Sequence, residues 1–188
     1  MRIVTPEEFN KEKYHFLDEV RNGAVFIYPT DTIYGIGCNA LNSKSVSKIR
    51  KIKSRQTNPF SVIAPSKEWI EQNCDVSEEG NNWIDKLPGP YTLIFKLKKK
   101  CVANGVNPGI KTLGIRIPNH WIKDSVSELD VPIVTTSVNK NSADFMTSLE
   151  DLDNDIKNSV DFIIYEGQKN GRPSEIIDLS EQIKIIER

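Results

Sequence analysis

"AVFIYPTDTIYGIG", residues 24–37, passes from an apolar run into a proline, two threonines, an aspartate and a tyrosine before it reaches two glycines. A simple connection needs far less polar chemistry than this. Ala24 to Tyr28 reads as a strand, and the glycines as a close turn beyond it. Gly35-Ile36-Gly37-Cys38-Asn39-Ala40 formally satisfies the relaxed dinucleotide pattern GxGxxA. That reading fails on spacing, because Pro29 to Tyr34 separate the strand from the glycines, whereas a dinucleotide fold places them directly after the strand and at the start of a helix.

Working outward, the chain alternates. Thr5-Pro6-Glu7-Glu8 supplies a helix N-cap, a proline at the first helical position and a capping-box glutamate, which predicts a helix from Thr5 to near Gly23. Ser43 is the expected cap of a second helix, whose Val46, Ile49 and Ile52 share a face and leave lysines on the other. Strands are expected at 60–64, 91–97, 113–117, 131–135, 162–165, 175–179 and 183–186, with a short helix over 69–73. Strands interleaved with helices predict a layered α/β fold with a mixed sheet.

Composition restricts the class of protein. With 188 residues, 38% of them hydrophobic and 27% charged, the chain is expected to be one globular domain over 1–188, neither disordered nor membranous. Cys38, Cys74 and Cys101 share no CxxC spacing, so neither a disulfide framework nor a zinc site is expected. No apolar leader opens the sequence and no run reaches bilayer length, so the expected location is cytoplasmic. The net charge of −1 is unevenly spread, with Lys44, Lys48, Arg50, Lys51, Lys53 and Arg55 crowding one segment.

Three clusters carry chemistry. Lys53-Ser54-Arg55, followed by the loop to Asn58-Pro59, falls where the second helix should stop. It would set two cations and an amide at the mouth of a cleft, suited to a polyanion such as a triphosphate. In "TLGIRIP", Thr112, Gly114 and Arg116 share a strand face, and Arg116 is either a carboxylate or phosphate ligand or half of a structural ion pair. "VTTSVNKN", 134–141, again runs a buried strand into hydroxyls and an amide. His15 and His120 fall outside these clusters, which leaves groups that orient substrates and stabilise phosphate charge rather than form covalent intermediates.

Together these pieces resemble the YrdC-domain family, the threonylcarbamoyl-AMP synthases. The matching segments are "YPTDTIYGIGCNA", "KSR" with "NPFSVI", "LPGPYTLIF", "LGIRIP", "PIVTTSVNKN", "GRPSEIIDL" and the closing "IIER", in that order along nearly the whole chain. The resemblance implies a YrdC-like domain, a twisted mixed sheet flanked by helices with a concave basic cleft. It also implies a reaction: L-threonine, bicarbonate or CO2, and ATP give threonylcarbamoyl-adenylate and pyrophosphate, and a downstream tRNA threonylcarbamoyl transferase takes the product. By similarity Thr30, Thr32, Arg116, Thr135 and Ser174 would hold threonine. Lys53, Arg55, Asn58, Thr112, Ser137, Asn139 and Arg188 would hold ATP, with Lys53 and Arg55 catalytic. Magnesium is expected with ATP, with no dedicated metal ligands and no prosthetic group. Two other readings stay open. Gln56 stands where the family usually has proline, and Asn141-Ser142 where it has Ser-Gly, which suits a paralogue of different activity. The cluster from Lys44 to Arg55 suits an RNA-binding module, though no aromatic interleaves it.

Overall fold

The computed structural model describes residues 1–140 and 143–186. From the N-terminus, β1 (Arg2–Val4) leads into α1 (Pro6–Lys11) and α2 (Lys13–Arg21), then β2 (Phe26–Tyr28), β3 (Gly35–Gly37), α3 (Ser43–Ile52) and β4 (Ser61–Ile63). Next come α4 (Lys67–Asn73), β5 (Cys74–Asp75), α5 (Glu78–Asp85), β6 (Tyr91–Leu97), β7 (Thr112–Arg116), α6 (Ile122–Leu129) and β8 (Ile133–Ser137). The chain closes with α7 (Asn154–Ser159), β9 (Phe162–Ile164), β10 (Glu175–Asp178) and β11 (Lys184–Ile186).

The opening stretch is a hairpin. Phe26 pairs with Gly37, Ile27 with Ile36 and Tyr28 with Gly35, so 29–34 is its loop and the two glycines lie in a strand rather than a turn. The reason is steric. A Cβ on Gly35 would stand 3.1 Å from the Tyr28 ring, and one on Gly37 would stand 2.2 Å from the Val134 carbonyl oxygen. The glycines admit a buried aromatic and a neighbouring backbone, and no helix begins there to receive a dinucleotide.

The sheet is mixed, as expected, in the order β1-β9-β2-β3-β8-β4-β7-β6-β10-β11, with β5 pairing to β6. Both of its faces are covered. Phe26 and Tyr28 belong to one buried cluster with Phe9 of α1, Phe16 of α2 and Ile122 of α6, while Ile27 between them joins the cluster on the other face, with Val46 and Ile49 of α3 and Ile84 of α5. This is why residues 24–28 show no polar alternation. Each such side chain, fully buried, contributes about 1.5–3 kcal/mol.

Local signals account for most boundaries, and three expectations need correction. Thr5 forms the capping box with Glu8, and the turn at Gly23 ends α2 with Ala24 N–H donating to Glu19 O at 2.9 Å and Gly23 N–H to Val20 O at 3.1 Å. Between them, however, the chain breaks at Glu12 (φ −112°, ψ 24°), giving two helices instead of one. The cap of α3 is Asn42, not Ser43: its side chain accepts from the backbone of Lys44 and Ser45. The strand expected at 131–135 runs from Ile133 to Ser137, because Asp130 ends α6 in the left-handed region and Pro132 has no N–H for a ladder. Thr135 to Ser137 therefore sit inside the sheet rather than beyond a strand end. Among the described residues, no helix is long and apolar enough to cross a membrane.

Candidate active site

Part of the polar chemistry in the 29–34 loop holds the loop itself. Thr30 Oγ1 donates to Ile33 O at 2.7 Å and accepts from Thr32 N at 3.2 Å, and it lies 3.0 Å from Thr32 Oγ1. Asp31 reaches across to β7, where its Oδ1 accepts from Arg116 Nη2 at 2.6 Å while its Oδ2 accepts from Asn119 N at 2.9 Å. Tyr34 ties the loop to a distant segment: its hydroxyl donates to Gly167 O at 2.6 Å and accepts from Glu166 N at 3.1 Å. Gly171 closes that contact, since a Cβ there would lie 2.1 Å from Thr32 O.

Above this loop lies a cleft of about 330 Å³, lined by six residues anticipated from sequence: Thr30, Arg55, Arg116, Thr135, Ser137 and Ser174. Thr32 stands directly behind, accepting from Arg116 Nη1 at 3.3 Å and Nη2 at 3.4 Å. Ser174 Oγ lies 2.7 Å from Thr92 Oγ1. Arg116 is thus an ion-pair partner and a cleft residue at once. Its Nε is buried and has no partner among the described residues. Burial works against its charge and lowers its pKa, and Asp31 opposes that effect.

At the other end Lys53 departs from expectation. It is 3% exposed rather than open at the mouth, and its ammonium donates to Ser137 O at 2.6 Å, Asn139 O at 2.8 Å and Asn139 Oδ1 at 2.7 Å. Burial, with Arg55 close by, pulls its pKa down to about 7, while the three oxygens favour the protonated form. Ser137 Oγ donates to the same Asn139 Oδ1 at 2.7 Å, so the cation fixes the turn that follows β8. Arg55 lines the cleft itself. Its Nε is also buried and without a partner among the described residues, and its guanidinium lies 5.5 Å from the centre of the Phe60 ring.

Among the described residues, four anticipated ATP residues do not line this cleft: Lys53, Asn139, Asn58 and Thr112. Asn58 is exposed, and Thr112 is half-buried at the start of β7, roughly 13 Å along an extended strand from Arg116. Arg188, like Asn141 and Ser142, lies outside the described residues. Gly114 makes room chiefly for protein, because a Cβ there would lie 2.5 Å from Ser61 Oγ. Sequence reading missed Tyr34, Ser61, Thr92, Thr136 and Phe145 as lining residues. The first four stand within motifs already quoted, but nothing local marks a side chain as cleft-facing until the strands are paired. The basic cluster is not one surface: Lys48 pairs with Asp161 at 3.0 Å, Lys53 is buried and Arg50 turns inward.

The sequence profile of the Sua5/YciO/YrdC family, described as "Telomere recombination", matches residues 18–188. A Methanocaldococcus jannaschii protein named "Putative threonylcarbamoyl-AMP synthase" is 40% identical over 191 residues, covering 96% of this chain and 86% of its own. A Pyrococcus abyssi threonylcarbamoyl-AMP synthase is 32% identical over 167 residues, covering 86% of this chain but 49% of its own. The crystal structure of P. abyssi Sua5 complexed with L-threonine superposes with a TM-score of 0.86 at 27% identity, over 99% of this chain and 56% of that one. The chain thus spans about half the length of the P. abyssi relative. Similarity that follows nearly the whole chain, through the hairpin, the cleft strands and the segment around Ser174, fixes the relationship: this protein belongs to the Sua5/YciO/YrdC family.

Proposed function

We propose that the chain is an L-threonylcarbamoyladenylate synthase, a nucleotidyl-transferring enzyme that makes threonylcarbamoyl-AMP and pyrophosphate from L-threonine, bicarbonate or CO2, and ATP. The names of its relatives support an enzyme of this kind, and the threonine complex of a neighbour supports the amino acid. The observation that carries the reading is the charge pattern of one cleft. Arg116 is neutralised within the protein by Asp31, whereas no carboxylate among the described residues acts on Arg55 or Lys53. A locally neutral end with unused N–H donors suits a zwitterion, and a net cationic end suits a polyphosphate.

The threonine carboxylate would take the free edge of Arg116, and Thr30, Thr32, Thr135 and Ser174 would receive its remaining polar groups. Its amine adds to CO2 and loses a proton to give a carbamate. A carbamate oxygen then attacks the α-phosphorus, and pyrophosphate leaves with the electron pair of the broken P–O bond. Arg55 offsets charge that develops on the leaving group, while Lys53 holds the Ser137–Asn139 turn against the nucleotide. Magnesium, expected with ATP, would be held by phosphate oxygens and water. When bound, the ion supplies further neutralisation of phosphate charge. The product would pass to a downstream tRNA threonylcarbamoyl transferase in the cytoplasm.

Purified protein should release pyrophosphate from ATP only when L-threonine and bicarbonate are both present, with the adenylate appearing in equal amount. Release that ignores threonine would overturn the assignment and favour a paralogue of different activity.

A further inference from the structure

Arg50 belongs to the basic segment that looks, in sequence, like a solvated helix face. Its guanidinium instead turns under the loop that carries Arg55. Nε donates to Gly105 O at 2.6 Å, and Nη1 donates to Arg55 O and Gln56 O, each at 2.9 Å. Nη1 and Nη2 both reach Asn58 O at 3.3 Å, and Nη2 reaches Val106 O at 3.4 Å. Five carbonyl oxygens from two loops thus converge on one planar cation, a gathering of partial negative charge that only a multi-pronged donor can satisfy. The contact continues into the cleft. The Arg50 guanidinium lies 4.5 Å from the centre of the Phe60 ring, the same ring that Arg55 approaches, and Phe60 lines the cleft.

The loop has little else to hold it. Ser54 leaves α3 in the left-handed region at φ 49°, and residues 55–59 belong to neither helix nor strand. The Arg55 amide returns to Arg50 O at 3.1 Å, so both the start of the loop and its carbonyls refer to the same residue. We propose that Arg50 is a positioning residue for the polyanion end of the cleft: by clamping the carbonyls of Arg55, Gln56 and Asn58 against those of Gly105 and Val106, it sets where the Arg55 guanidinium points. The ligand half of this proposal rests on the synthase reading. The clamp itself does not.

Arg50→Ala and Arg50→Lys separate the two. Lysine keeps the charge but cannot span carbonyls on two loops, so both variants should raise the Kd and KM for ATP, by roughly tenfold or more for alanine and less for lysine. Because Arg55 also acts on the leaving group, kcat should fall by roughly tenfold too, while the Kd for threonine measured without ATP stays within about twofold. Backbone amide exchange should accelerate over 53–60 and 104–107 while the amides of β2, β3 and β8 keep their protection. Equal losses for ATP and threonine, or loop exchange unchanged from wild type, would overturn the proposal. Should the alanine variant not fold, the lysine variant carries the same comparison. A wild-type protein that binds no ATP would overturn the ligand half together with the synthase reading, and the exchange pattern would still decide on the clamp.

Discussion

Each end of the cleft presents an arginine whose Nε is buried and has no partner among the described residues, yet what stands behind the two differs. Arg116 projects from β7, is braced by the Asp31 and Thr32 side chains, and has its charge answered inside the protein. Arg55 rides on a loop whose carbonyls are gathered by Arg50, beside a buried lysine whose partners among the described residues are neutral oxygens. The first end is braced by side chains and nearly neutral. The second is cationic and depends on backbone placement. On the proposed function, the contrast would let one fold favour a zwitterion and a polyanion side by side, because local charge balance differs even where the residue type is the same.

The comparison breaks most visibly if the Arg116–Asp31 pair is not a true buried pair. Their side chains are 7% and 11% exposed, so removing one partner strands the other charge. Asp31→Ala should lower the unfolding free energy by about 3–5 kcal/mol, and Asp31→Ala combined with Arg116→Met should cost clearly less than the sum of the single variants. Urea titrations of the full cycle decide it; strict additivity would show that the two ends do not differ in the way described.

A smaller effect sharpens the contrast from the other side. Lys53→Met removes three hydrogen bonds and leaves Asn139 O without the ammonium, though Asn139 Oδ1 keeps the Ser137 hydroxyl and Ser137 O the Asn139 amide, at a cost of about 1–3 kcal/mol. The sign of its pH dependence follows from a folded pKa of about 7 against an ordinary value of 10.5. Below 7 both folded and unfolded chains are protonated, and the burial penalty is present in full. Between about 7 and 10.5 the unfolded chain binds a proton that the folded chain has lost, so wild-type stability rises relative to the variant as pH increases across that window. A difference curve that stays flat from pH 7 to 10 would contradict a depressed Lys53.

Much of this was legible in the sequence, for identifiable reasons. Thr5 with Glu8 and the Gly23 turn are local devices, and local devices read well. The helices α5, α6 and α7 were not anticipated. Ser77 and Asp153 do cap α5 and α7 by side-chain bonds, signals present but isolated from any long apolar period, while α6 opens without a side-chain cap at all. In the site, strand patterning brought Arg116 and the 135–137 hydroxyls forward, since a charge or hydroxyl inside an apolar run stands out. Asp31 stood in the quoted stretch and its role was still invisible, because its partners Arg116 and Asn119 lie 85 and 88 residues away in sequence. Lys53 and Arg50 were read as cleft-mouth and solvated cations for the same reason: which way a helix-end cation turns is settled by where distant carbonyls come to rest.

Isothermal titration of threonine and of ATP, each alone, into wild type, Arg116→Lys and Arg55→Ala tests the central claim most directly. Arg116→Lys should weaken threonine by about tenfold or more, through loss of the planar two-pronged contact, and leave ATP within about twofold. Arg55→Ala should do the reverse. Equal weakening of both ligands in both variants would mean that the cleft has no two distinct ends, and the account would fall.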